Sequence, residues 1–347
     1  MTSKQTQKLD KKVYPWKEAV ARYQKPDLKR SLWQIVNTIP PYFILLYLMV
    51  RSLQVSYWLT LGLAVIAAGF LARIFIIFHD CGHGSFFKSQ KANDIVGILT
   101  GILTFTPYYY WRRDHAIHHA TAGDLSRRGT GDILTLTVKE YLALSPLKRL
   151  GYRILRNPVF MFVISPLFIF LGAHRFARRG TSGRELHSVH WTSLAMAVYF
   201  AAMILLMGFK TFLLVNLPIW GVAFSAGVWL FYVQHQFEGT YWEQHENWDY
   251  ATAALKGSSF YKLPRLLQWF SGNIGFHHIH HLSPKIPNYY LEKCLAENTA
   301  FQKVRPITFL SSFRSLTFRL WDEDQRRLVG FGALKEIQMK EIQSQAA

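Results

Sequence analysis

The chain has 347 residues, is 50% hydrophobic and 16% aromatic, and carries 40 Lys/Arg against 21 Asp/Glu for a formal net charge of +19. That size and composition suit either one large core in water or a membrane protein. The basic residues lie between apolar segments rather than on one soluble face, which speaks against nucleic acid as a partner and for anionic lipid headgroups or an acidic redox protein.

The first 30 residues hold nine Lys/Arg and three Asp/Glu with no apolar core, so they are not a cleaved signal peptide. By the positive-inside rule, residues 1–32 form a basic cytoplasmic segment ahead of an uncleaved anchor. Four apolar runs follow, 33–50, 56–78, 189–208 and 211–233, each close to the roughly 20 residues that cross a bilayer. Arg73 is the only Lys, Arg, Asp or Glu within them, near an end where it can snorkel to the headgroups. Two shorter apolar stretches intervene: 95–110, broken by Gly97, Gly101 and Pro107, and 158–173, broken by Pro166.

Three histidine-rich boxes punctuate this pattern: His79 and His83 where the second span ends, then His115, His118 and His119, then His277, His278, His280 and His281. A complete crossing by 95–110 would put the first two boxes on opposite sides of the membrane. Both short stretches are therefore read as re-entrant or interfacial. The nine Lys/Arg of 111–158 and the four Arg of 174–187 place those loops in the cytoplasm. The expected architecture is an all-α integral membrane protein: about four transmembrane helices in two hairpins, re-entrant or interfacial segments, and a cytoplasmic His-box cap. Residues 1–347 form one membrane-embedded domain, because the two hairpins must pack together for the boxes to meet. The last 45 residues, including a tail over 331–347, read as a solvated or interfacial cap without chemistry. Cys81 and Cys294 have neither CxxC nor disulfide-like spacing, which fits two free thiols on a reducing side.

Residues at i, i+3 and i+4 of a helix share one stripe, and 115/118/119 and 277/280/281 both have this spacing. His79 and His83, at i and i+4, add two more. Eight imidazoles exceed what one four-coordinate zinc accepts, so the count suits two metals at the membrane edge. His278 falls about 60° from the arc of its neighbours and is expected in a supporting or solvent-facing position. Imidazole suits iron, copper or zinc. Splitting dioxygen takes electrons, which favours iron over redox-inert zinc.

The three boxes, HDCGHGSF, WRRDHAIHHATAG and GFHHIHHLSPKIPNY, resemble those of the integral-membrane fatty acid desaturases, in particular the acyl-lipid branch. The runs Gly129-Thr130-Gly131-Asp132-Ile133 and Gln234-His235-Gln236-Phe237-Glu238 resemble that branch too, closest to the Bacillus-type phospholipid desaturases, and the likeness extends from the first span to about residue 330. The resemblance implies a centre of two iron ions that uses O2 and two electrons to place a cis double bond in an acyl chain. It also implies the metal ligands: His79, His83, His115, His118, His119, His277, His280, His281 and, after the fourth span, His235, with His245 ten residues on as the histidine that could be confused with it.

Metal-bound imidazoles usually donate their second N–H to a carboxylate or carbonyl. Asp80, Asp114, Asp124, Asp132, Glu238 and Asn273 are candidates for that role, with helix caps or surface charges as the alternative. Arg112, Arg113, Arg127 and Arg128 suit a phospholipid headgroup, an electron donor, or ordinary positive-inside charge. Tyr108-Tyr109-Tyr110-Trp111 reads as an interfacial aromatic belt ahead of an acyl-tunnel lining.

The nearest alternative function is a related His-box hydroxylase or ketolase acting on another lipid. A second class is a non-enzymatic membrane metal-binding protein, but a transporter should carry polar ligands at mid-membrane, and the four spans offer almost none. No HExxH motif supports zinc proteolysis. Without a haem-binding HPGG, a Rossmann fingerprint or ferredoxin-like cysteine spacing in the chain, electrons are expected from a separate donor, by resemblance a ferredoxin or flavodoxin. The expected location is a bacterial plasma membrane, with the site on the cytoplasmic side.

Overall fold

The computed structural model describes residues 16–346, those at 340–342 and 344–346 by backbone alone. Among the described residues four helices are long and apolar enough to cross a membrane: Leu28–Ser52, Tyr57–His83, Gly183–Met207 and Phe209–His235. Each contains or overlaps one of the four expected spans. The first is broken at Asn37–Thr38, and Pro40 and Pro41 open its second half, where the first turn leaves N–H groups unpaired in any case. Ser56 starts the second by accepting from Trp58 N at 3.2 Å, and Gly84 stops it at φ 62, the left-handed geometry glycine tolerates.

The second and fourth spans have 27 residues each. At 1.5 Å per residue that is about 40 Å, against a hydrocarbon core of roughly 30 Å. The surplus carries His79 and His83 on one helix and His235 on the other, so two spans deliver site residues at their ends. The inner faces knit through Leu46, Met49, Leu71, Ile74, Val215, Ile219 and Trp220. The outer faces leave Trp58, Val65, Leu205 and Leu206 exposed, as a lipid-facing surface requires.

Arg73 does not snorkel. It is 7% exposed, its Nε donates to Thr38 Oγ1 at 3.1 Å, Nη1 donates to the Trp269 carbonyl, and the guanidinium lies 4.1 Å over the Trp269 ring. The break in the first span supplies its hydroxyl partner, which the apolar pattern gave no means to foresee.

The stretch 95–110 turns back as expected, though not because its glycines break it. Gln90–Leu103 is one continuous helix. A Cβ at Gly97 would lie 2.2 Å from the Tyr108 ring, and one at Gly101 would lie 2.6 Å from the Thr106 carbonyl. These glycines admit the returning chain, which enters the helix Tyr108–Thr121 after Pro107. The turn is held at Phe105 (φ 56), whose carbonyl accepts from Arg175 Nη2 at 2.5 Å. The second stretch forms the pair Pro146–Leu155 and Phe160–Arg175, bent by 55°. Arg156 at the bend bonds Gln236, and Arg178 just beyond the second half bonds Tyr110 and pairs with Asp114, so both ends of Phe160–Arg175 lie on the histidine side and that half is re-entrant.

The expected basic N-terminal segment lies outside the described residues up to 15. From Trp16 onward it packs beneath the third box: Val20 joins Ile279, Leu282, Ile286 and Leu291 in one core, and Tyr23 Oη donates to Glu297 Oε2 at 2.5 Å. The C-terminal region is likewise docked rather than solvated. The hairpin Leu320–Asp322 with Arg327–Val329 buries Trp321 to 1% exposure, and Leu334 and Ile337 pack with Tyr141 and Tyr152. Apolar residues spaced among charges leave the solvated alternative open in the sequence, and the packing of Trp321, Leu334 and Ile337 closes it.

Candidate metal centre

The boxes lie on short stiff elements: the end of the second span, the helix Tyr108–Thr121 and the helix His277–Leu282, with His235 closing the fourth span. Their imidazoles converge into two groups whose nitrogens lie within 4.8 Å of one another, each able to hold a metal ion: His79, His83, His115, His119 and His280 in one, His118, His235, His277 and His281 in the other. The groups adjoin, with the His119 and His281 rings stacked at 4.1 Å. His245 is elsewhere, half exposed with Nδ1 2.8 Å from Asp124 Oδ2. All nine histidines singled out by sequence are thus brought together, and His245 is not.

Nitrogen faces nitrogen inside each group. His235 Nε2 lies 3.1 Å from His118 Nε2 and 3.0 Å from His277 Nε2. His119 Nε2 lies 3.1 Å from both His115 Nε2 and His280 Nε2. A neutral imidazole has one N–H, so such a ring can donate to one neighbour only and lone pairs remain pointed inward. His83 Nε2 and His281 Nε2 are buried without a hydrogen-bond partner among the described residues. Burial, then neighbouring imidazoles, hold His115, His119, His277, His280 and His281 well below the usual histidine range, so they stay neutral at pH 7. Two adjoining sets of imidazole nitrogen donors, with no carboxylate in either, fit two imidazole-preferring cations.

Two carboxylates reach the rings from outside. Asp132 Oδ1 accepts from His118 Nδ1 at 2.6 Å, and its Oδ2 accepts from Gly129 N at 3.1 Å. Asp80 Oδ1 lies 3.3 Å from His79 Nδ1, while Oδ2 accepts from Asn288 N at 2.7 Å and Nδ2 at 2.8 Å. Asn288, in the run after the third box, is a supporting residue the sequence reading missed; its position behind Pro287 at a helix start was the available signal. The other candidates are engaged elsewhere. Asp114 pairs with Arg178 at 3.5 Å, Asp124 holds Arg127 and His245, Glu238 pairs with Arg314, and Asn273 bonds Gln268 and the Asn288 carbonyl.

His278 is not solvent-facing: it is fully buried against Phe260, and burial lowers its pKa to about 4. The aromatic run is not a surface belt. Tyr108 is 1% exposed and donates to the Cys81 carbonyl at 2.7 Å, and Trp111 stacks on His115 at 4.2 Å. These rings pack against one side of the first group.

The family model described as fatty acid desaturase matches residues 56–309. A fatty acid desaturase of Bacillus subtilis (strain 168) is 53% identical over 318 residues, covering 92% of this chain and 90% of that relative. An sn-1 oleoyl-lipid 12-desaturase of Synechocystis sp. is 28% identical over 286 residues, 78% of this chain and 75% of its own length. An sn-1 acyl-lipid omega-3 desaturase (ferredoxin) of Nostoc sp. is 27% identical over 320 residues, 88% and 84% respectively.

Proposed function

The chain belongs to the fatty acid desaturase family, and on that premise we propose that it desaturates the acyl chains of membrane phospholipids at a centre of two iron ions. The observation that carries this reading is the division of nine imidazoles, seven buried and His83 and His115 half-buried, into a group of five and a group of four that share a wall. The first ion is held by His79, His83, His115, His119 and His280, the second by His118, His235, His277 and His281. Bound iron supplies reductive activation of O2 next to an unactivated methylene pair. The overall balance is R–CH2–CH2–R′ + O2 + 2 e⁻ + 2 H⁺ giving R–CH=CH–R′ + 2 H2O.

The chain's own residues prepare this chemistry. Asp132 fixes His118 with its proton on Nδ1, which leaves Nε2 as the lone-pair donor, and Asp80 does the same for His79. Asn288 holds Asp80 in place with two N–H donors. Phe78, Tyr108 and Trp111 form an apolar cluster beside the first group, with Trp111 stacked on His115. The electrons come from a separate acidic protein, a ferredoxin or flavodoxin, drawn to the basic face; one of the relatives carries ferredoxin in its name. The site faces the cytoplasm of a bacterial plasma membrane.

Expression in cells lacking desaturases, with a competent electron donor, tests the reading. Gas chromatography with mass spectrometry should show a new cis-monounsaturated chain with the native protein and none with His118→Ala. Hydroxylated products would assign the chain to oxygen insertion instead, and an unchanged profile with well-expressed protein would refute the enzyme.

A further inference from the structure

A narrow recess of about 20 Å³, room for about one water molecule, reaches the second group of histidines at His118 and His235. Its walls are built in. The Asp124 side chain is fully buried and holds Arg127 Nε at 2.6 Å, His245 Nδ1 at 2.8 Å and Ser126 N at 3.0 Å. Gln236 Oε1 accepts from buried Arg156 at 3.1 Å. Gly123, at φ 76, and Gly257 let the wall close, since a Cβ at either would lie 2.9 and 3.0 Å from the Tyr241 carbonyl.

The lining of the recess sets the polar side chains of Asp124, Arg128, Asp132 and Gln236 beside apolar Ala122, Ile133 and Trp242. Phe231, which does not line the recess, packs against the same two imidazoles, 5.1 Å from the His118 ring and 5.0 Å from the His235 ring. The proposed reaction consumes two protons and releases two waters in each turnover, and an apolar acyl passage carries neither well. We propose that this recess is the aqueous port of the metal centre, through which water and small anions exchange with the group of His118, His235, His277 and His281. The inference rests on the reading of that group as a metal site. Ala122, at the end of the second-box helix, Ile133, and Trp242, stacked on Trp321 at 5.7 Å, all line the recess, so their size sets its width.

The test is the rate at which azide binds the iron-loaded, full-length protein in detergent, followed by stopped-flow absorbance, with iron per chain measured in each sample. Ala122→Phe should slow association at least tenfold at unchanged iron content. Ile133→Phe, on another wall, should do the same, which guards against a folding defect peculiar to the helix end. Trp242→Ala should speed it, and Leu150→Phe, on a remote face, should leave it unchanged. Equal rates in the two plugged variants and Trp242→Ala at full iron content would overturn the port, as would an unaltered protein that holds iron but forms no azide complex. A native chain that binds no iron would instead defeat the metal assignment itself, and the port with it.

Discussion

Asp132 Oδ1 and His118 Nδ1 lie 2.6 Å apart, joining a glycine-flanked loop to the middle of the second box. The loop has little freedom: a Cβ at Gly131, at φ 71, would come within 3.1 Å of His118 Cβ and the Asp114 carbonyl. A carboxylate held this rigidly sets the tautomer and the basicity of the imidazole beyond it.

Asp132→Ala should therefore lower iron affinity about 10- to 100-fold, the usual effect of removing such a partner. Asp132→Asn keeps an acceptor without the charge and should fall between. Iron titration monitored by absorbance separates the three proteins; equal affinities would show that the contact does not matter to the centre.

Asn288 is predicted to act through Asp80. In Asn288→Ala the side-chain donor to a buried carboxylate disappears, at a cost of about 1–3 kcal/mol. Thermal unfolding should shift downward and iron occupancy should drop with it. Asn288→Asp, which sets two carboxylates together, should be worse than Ala.

Gly97 tests the returning hairpin. Any side chain there meets the Tyr108 ring, and overpacking of this kind costs about 1–3 kcal/mol. Gly97→Leu should reduce the yield of folded protein, and Gly97→Leu with Tyr108→Ala should recover part of it. Gly62, where a Cβ meets nothing within 4 Å, is the control position.

Acid should weaken the metal-free protein. His115, His119, His277, His280 and His281 are held well below 6.5 by burial and by one another, whereas an unfolded chain takes up protons near 6.5. Below that pH the unfolded state binds more protons, so stability is fully present above it and is lost as the pH falls. Melting temperature measured between pH 7.5 and 5.5 should decline, and a rise on acidification would contradict the neutral assignment.

Much of this was legible in the sequence because spans and boxes are periodic. Four apolar runs gave the spans, and parity between the first two boxes gave the re-entrant hairpin. The division into five and four was not legible, although its rule is simple in retrospect. The i, i+4 pairs His79/His83 and His115/His119 act together, His277/His281 form the other pair, and the i+3 members His118 and His280 cross to the opposite group. Only the relative placement of three helices decides that exchange, and one helix's spacing contains nothing about it. Arg73, Asn288 and Trp321 were hidden for the same reason. Arg73 finds Thr38 35 residues away, Asn288 finds Asp80 208 residues away and Trp321 finds Trp242 on a different segment, and residue type alone favoured a snorkelling cation for the first and a solvated or interfacial cap around the last.

The most direct test of the two-group assignment is iron per chain after anaerobic reconstitution, measured on the native protein and on the paired variants His115→Ala/His119→Ala and His277→Ala/His281→Ala. Two sites predict about two iron atoms in the native chain and about one in each variant, since each pair belongs to a different group. A native chain with one iron, or with stoichiometric zinc and no iron, would contradict the account.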